Sequence, residues 1–166
     1  FYLEQDGPAA SSALERVDIP LLQNSDTALS EELLYLRAQL ELLNLADGVE
    51  NATPQVSGFL KQLPTDSLWR AYVRYNMALK LPTQNVSNAQ EQDSTSAELE
   101  VLAQDLALAE NWRVDDRAER LELLARTRLS LAQRYLQTED YAAAMSHLKT
   151  IDLDSVFSDE ALFHYA

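Results

Sequence analysis

The stretch Leu131-Ala132-Gln133-Arg134-Tyr135-Leu136-Gln137-Thr138-Glu139-Asp140-Tyr141-Ala142-Ala143-Ala144-Met145-Ser146-His147-Leu148-Lys149-Thr150-Ile151 decides the fold. Leu131, the small Ala132 and Tyr135 fall on one helix face, and Ala144, Leu148 and Ile151 on another, with Glu139-Asp140-Tyr141 at the bend. Apolar residues three and four apart mark a helical stripe. A short polar bend between two such stripes is an antiparallel helix pair. Parts of the stretch recur elsewhere, which is the mark of a chain built from repeats that bury their apolar faces against one another.

The echoes are specific. Leu162, Tyr165 and Ala166 lie 34 residues after Arg128, Leu131 and Ala132. Phe1 to Val17 can be laid without a gap on Tyr135 to Ile151, so that Asp6 meets Asp140, Ala10 meets Ala144, Leu14 meets Leu148 and Val17 meets Ile151. A third unit centres on Ala71 to Leu81, with Met77-Ala78 in the large-then-small slot. A fourth centres on Leu34 to Leu43, followed by a second helix that stops at Pro64. The small residues Ala38, Ala78, Ala132 and Ala166 share one local context and are spaced 40, 54 and 34 apart, so the middle of the chain carries insertions. A small residue is needed where helices approach closely.

These residues resemble the tetratricopeptide repeat, whose pattern of about 34 residues runs W-x2-L-G-x2-Y, then A-x3-F, then P. Arg128 stands in the Trp slot, Leu148 in the Phe slot and Val156 in the Pro slot. The resemblance implies an all-α fold: a right-handed α-solenoid of antiparallel helix pairs, with irregular repeats and inserted loops. Residues 1–166 form one helical-repeat domain on this reading. Both ends fall inside a repeat, so a piece of a longer solenoid is expected.

Composition narrows the classes. Three Gly and five Pro disfavour a turn-rich β chain, while Leu, Ala, Glu and Gln favour helix. No apolar run approaches the roughly 18 to 20 residues that cross a bilayer. The net charge of −14 speaks against nucleic acid, whose affinity comes from Lys and Arg. The same field suits a basic or neutral partner, although surplus carboxylates also serve solubility. There is no cysteine, so disulfides, thiolate metal sites and a Cys nucleophile are excluded.

Along the chain, Asp18 to Ala28 reads as a linker, and Ser30-Glu31-Glu32 opens a helix to about Asn44. Residues 46–54 make a long bend. Short helices follow over Gln55 to Leu63 and Leu68 to Leu81. Residues 82–96 offer almost nothing apolar to bury and read as a mobile insertion loop. Helix resumes from Ala97 to about Glu110, with Leu99, Leu102, Ala103 and Leu106 as its stripe. Asp115-Asp116 then starts a helix toward Gln137, with Leu121, Leu124, Arg128, Leu131 and Tyr135 in period. Either an extra turn or a break near Leu123-Leu124-Ala125 accounts for its length.

Chemistry is hard to find in this chain. His147 reads as a solvent-edge residue, and His164 as exposed or groove-lining. Asp115-Asp116 with Glu119 lies among Arg113, Arg117 and Arg120, which suits a capped, salt-bridged helix start better than a metal site. Asp152-x-Asp154 reads as a turn, lacking the glycine and remaining ligands of a calcium loop. Gly7, Gly48 and Gly58 are isolated and cradle no phosphate. Trp69 and Trp112 read as packing between layers. No cofactor or metal is expected, and no enzyme.

The resemblance implies a non-catalytic scaffold or adaptor whose first helices line a concave groove for a partner peptide or helix. The groove positions are Tyr35 and Gln39 in one unit, Tyr72, Tyr75 and Asn76 in the next, and Arg126, Leu129 and Gln133 in the last. Tyr75 and Leu79, like Leu129 and Gln133, stand where a carboxylate-clamping groove has Lys and Asn, which disfavours that function. Trp69 to Ala78 and Val156 to Leu162 also resemble a bacterial subgroup of unassigned function, which implies the periplasm or envelope, with the cytoplasm as the alternative. The rival reading is a self-assembling homo-oligomeric module joined through repeat ends, where Phe1, Tyr2, Phe163 and Tyr165 supply apolar contacts.

Overall fold

The computed structural model describes residues 9, 12–14, 16–17, 22, 26–46, 52–80, 88–108, 110 and 112–165. Regular structure among them is entirely helical. The helices are α1 (Thr27–Ala46), α2 (Ala52–Gln62), α3 (Leu68–Lys80), α4 (Asn88–Ala107), α5 (Arg117–Gln137), α6 (Tyr141–Leu148) and α7 (Ser158–Tyr165), with a 3-10 turn at Val114–Asp116. The chain divides into two compact units, Phe1–Pro82 and Thr83–Ala166.

In the first unit, α1 opens earlier than Ser30 because Asp26 Oδ1 accepts from Leu29 N at 3.0 Å, satisfying one of the unpaired amides of the first turn. Ser30 thereby lies inside the helix, where its hydroxyl donates to Thr27 O. Glu31, expected at the helix start, is buried and accepts a 2.6 Å hydrogen bond from Ser67 Oγ. Ser67 precedes α3, so this bond ties the starts of α1 and α3 together. Helix α2 begins at Ala52, with Pro54 in the first turn, where a missing N–H breaks no helical bond. Leu34, Ala38 and Leu42 of α1, four residues apart, form the core with Val56, Leu63 and Val73. Val17 packs on the same core; Asp6 and Ala10 of the N-terminal echo lie outside the described residues.

In the second unit, α4 starts at Asn88, so the loop expected over 82–96 is helical from Asn88 onward; residues 82–87 lie outside the described residues. Ala, Gln and Glu, which the segment 89–92 is rich in, are good helix formers by intrinsic propensity. The stripe Leu99, Leu102, Ala103 and Leu106 is buried as its spacing predicts. Helix α5 runs unbroken for 21 residues, which decides for added length over a break. Asp116 makes no side-chain cap at its start. Leu121 is exposed, and Leu123 takes its place in the interior.

Helix α5 packs against both α4 and α6. Ala125, Leu129 and Ala132 join Ala144, Leu148, Ile151 and Ala161 in one core. Ala38, Ala78 and Ala132 are all buried, in keeping with close helix approach; Ala166 is not described. The bend between α5 and α6 places Glu139 at φ 62°, with Asp140 N bonding Tyr135 O and Glu139 N bonding Leu136 O. This is the Schellman arrangement that closes a helix C-terminus. Asp140 Oδ1 then caps α6 by accepting from Ala143 N at 3.0 Å.

Arginines close several other helix ends. The last carbonyls of a helix have no partner within it and carry its negative end. Arg70 donates to Leu60 O and Leu63 O at the end of α2, both at 2.9 Å. Arg120, expected beside Asp115 and Asp116, turns inward and donates to Leu106 O in the last turn of α4, while Trp112 Nε1 donates to Asp105 O at 2.8 Å. Arg128 donates to Thr150 O beyond α6 at 2.6 Å, and Arg37 to Leu14 O and Val17 O. Burial pushes the Arg128 guanidinium below its usual range, yet arginine stays charged in proteins.

Replacing Arg70 by Met should lower stability in urea denaturation by about 2 kcal/mol, the cost of losing charge-assisted hydrogen bonds. Arg117→Met, at an exposed position, should stay within about 0.5 kcal/mol. Ala132→Leu should cost about 1–3 kcal/mol through overpacking, and an unchanged melting curve would remove the close-approach role from that alanine.

Candidate functional site

The first unit brings three aromatic rings from two helices into one cluster. Tyr35 on α1 lies 4.7 Å from Trp69 on α3, centroid to centroid, and 6.2 Å from Tyr72; Trp69 and Tyr72 are 6.2 Å apart. These separations fall in the range of favourable ring pairs. Trp69 and Tyr72 are three residues apart and share a face of α3. Each of the three side chains is half-buried, so the cluster packs on the core beneath it and keeps part of its surface open. Trp69 does pack on the core as its sequence context suggests, but it also joins Tyr35 and Tyr72. That part of its role was hidden because the ring partner comes from a helix more than 30 positions away.

Gln39 lies one turn after Tyr35, on the same face of α1. Its Nε2 is buried and has no hydrogen-bond partner among the described residues. An amide donor left in this condition costs about 1–3 kcal/mol. Asn76, one turn after Tyr72, is half-buried.

The remaining groove positions separate. Tyr75 is 3% exposed: it falls on the stripe of Ala71 and Ala78 and belongs to the interior, not to an open groove. Leu129 is 5% exposed and sits in the core of the second unit, because α6 and α7 cover the α5 face that it shares with Ala125 and Ala132. Gln133 donates to Glu160 Oε1 at 2.9 Å and so braces α7 against α5. Arg126 is the exposed member of the α5 set.

A polar junction in the second unit escaped the sequence reading. Glu100 Oε1 on α4 accepts from the Tyr135 hydroxyl at 3.0 Å and lies 2.9 Å from His147 Nε2 on α6. The Tyr135 and His147 rings stack at 5.5 Å with 4° between their planes. His147, expected at the solvent edge, is therefore held between a ring and a carboxylate, with 15% of its side chain exposed. Since a carboxylate accepts, Nε2 is the nitrogen that carries the proton. Glu100 was invisible as a partner because it stands outside its helix's apolar stripe and meets residues 35 and 47 positions away. The junction locks three helices together.

Elsewhere, His164 Nε2 lies 4.0 Å from Glu160 Oε1 within α7. Asp152 Oδ1 accepts from Asp154 N, forming the turn that their spacing suggests. Among the described residues, no group of three or more His, Cys, Asp or Glu side chains could hold a metal ion, and no helix is long and apolar enough to cross a membrane. Comparison with known proteins finds no matching family model, no matching curated protein and no matching solved structure.

Proposed function

We propose that this chain is a non-catalytic helical-repeat scaffold of the tetratricopeptide kind, which holds a partner peptide or helix on the face carrying Tyr35, Gln39, Trp69 and Tyr72. The observation that carries the reading is the half-open aromatic cluster assembled from α1 and α3. Aromatic rings give a peptide large contact area at small entropic cost, and such residues are enriched at interfaces. A right-handed solenoid is the form in which these helix pairs would stack. The periplasm or envelope of a bacterium is the location that the resemblance of Trp69 to Ala78 and Val156 to Leu162 would support, with the cytoplasm as the alternative.

Self-assembly through repeat ends is the second reading, favoured by Phe163, which is 79% exposed on the last helix. A molecular mass that rises with concentration, and that Phe163→Ser returns to the monomer, would carry that reading.

The first reading is tested by capture of partners from a bacterial lysate with the chain and with its Tyr35→Ala/Tyr72→Ala variant. The expected result is loss of the captured protein, at least about tenfold, since two interface aromatics each contribute more than about 1 kcal/mol. Capture unchanged by the variant, with the helical fold intact by circular dichroism, would move the site away from this face.

A further inference from the structure

Two stretches of the chain echo one another in sequence, and the backbone carries the echo into three dimensions. Leu14 and Val17 stand 134 positions before Leu148 and Ile151. As α6 ends, Thr150 N bonds His147 O at 3.1 Å and Ile151 N bonds Leu148 O at 3.2 Å. After the helical residues 12–14, Arg16 N bonds Ala13 O at 3.3 Å and Val17 N bonds Leu14 O at 3.1 Å, so both stretches close with the same turn. Each also lies against the helix that follows it. Helix α6 packs on α7, and Val17 packs on the core that α1 forms, while Arg37 of α1 donates to Leu14 O and Val17 O.

The two stretches differ in what lies on their other side. Helix α6 has α5 there, and its Ala144, Leu148 and Ile151 share one core with Leu129. Leu148 and Ile151 are buried, whereas Leu14 and Val17 are half-buried. Ala13 is exposed at the position where His147 stacks on Tyr135 of α5. The stretch 12–17 therefore has the surface of a second helix that no described first helix covers.

Helix α7 shows the converse. Leu162 and Phe163 stand 34 positions after Arg128 and Leu129. Ala161 is buried as its counterpart Thr127 is, so α7 is seated on its inner side. Leu129, however, is 5% exposed beneath α6, and Phe163 is 79% exposed. An interface that the fold builds once between α5 and α6 is thus present a second time as two unjoined halves on one molecule.

We infer that α7 of one copy takes the stretch 12–17 of a second copy in the register that α5 and α6 use. Phe163 lies over Leu14 and Val17, as Leu129 joins Leu148 and Ile151, and Leu162 lies beside Arg16, as Arg128 lies beside Thr150. This rests on the self-assembly reading above and names its two faces. The contact joins unlike surfaces, so it is heterologous and leaves one free half at each end of a dimer. Asp159 stands 34 positions after Ala125, which shares the core of Ile151, and Arg16 adjoins Val17, the counterpart of Ile151; both charges are exposed, so opposite signs meet at this rim. The net charge of −14 on each copy outweighs that single pair, and association should strengthen as salt screens it.

The chain has no cysteine, so two single-cysteine variants, Leu162→Cys and Arg16→Cys, can report the register through a short thiol-to-thiol linker. At about 300 mM salt, where like-charge repulsion is screened, the mixture of the two should give a cross-linked dimer and either variant alone should not. Leu121→Cys, exposed on α5, should give none when mixed with Arg16→Cys. In sedimentation the mass of the unaltered chain should rise with concentration, and Phe163→Ser and Ala13→Glu should each weaken association at least about tenfold. Both residues are exposed, so circular dichroism should show an intact helical fold. A mass that ignores concentration would overturn self-assembly and this register with it. A mass that rises, while either cysteine variant links to itself or the mixture does not link, would leave self-assembly standing and overturn the pairing of α7 with 12–17.

Discussion

A helix that stops in a folded unit leaves carbonyls that no further turn of its own can satisfy. In this chain arginines from other helices supply many of the missing donors. Arg70 reaches the end of α2, Arg120 the end of α4, Arg128 the segment after α6, and Arg37 the residues after the helical stretch 12–14. The guanidinium suits the task because it offers several donors in a plane, stays charged, and sheds water more readily than an ammonium. It also brings positive charge to the negative end of a helix dipole. Such a contact fixes register: the arginine must stand level with the end of its neighbour, so each helix sets the height of the next. The alanines Ala38, Ala78 and Ala132 set how near the helices approach, and the arginines set how far they slide.

This use of arginine shapes the surface as well. Thirteen basic residues face 27 carboxylates in the sequence, and several of the thirteen point at carbonyls rather than at solvent. The outward field is therefore governed by Asp and Glu, among them the exposed Asp152, Asp154 and Asp159. Glu31 and Glu100 are two of the carboxylates engaged between helices instead. The first is buried against Ser67, and the second gathers Tyr135 and His147. Both act as cross-links between helices, and the side chains they engage are hydroxyl or imidazole groups that cost little to hold beside them.

What was legible in the sequence was whatever repeats at helical spacing. The stripe of Leu99, Leu102, Ala103 and Leu106, the bend at Glu139-Asp140 and the buried small residues follow from local pattern alone. What was hidden depends on a residue's partner in space. Arg120 read as one more charge beside Asp115 and Asp116, because nothing in the sequence marks a carbonyl 14 positions earlier as its acceptor. Glu31 read as an N-terminal acid because Ser67 lies 36 positions away. The polar run before Ala97 read as a loop because burial was the only signal weighed, whereas intrinsic helix propensity favours helix there too.

The separation of the eight groove positions has one geometric cause. A repeat helix packed on two sides leaves only a narrow strip of its circumference open, and a step of one residue rotates a side chain by about 100°. Tyr72 and Tyr75 differ by three residues, yet the first stays half-open and the second enters the stripe of Ala71 and Ala78. On α5 the same rotation separates Arg126, which is exposed, from Leu129, which α6 and α7 cover. Which member of each pair stays open is decided by the helix packed beside it, whose contacts the local pattern does not encode. The aromatic cluster joins the two helices from such half-open positions: Tyr35 from α1 meets Trp69 and Tyr72 from α3, and the buried amide of Gln39 sits one turn further along α1.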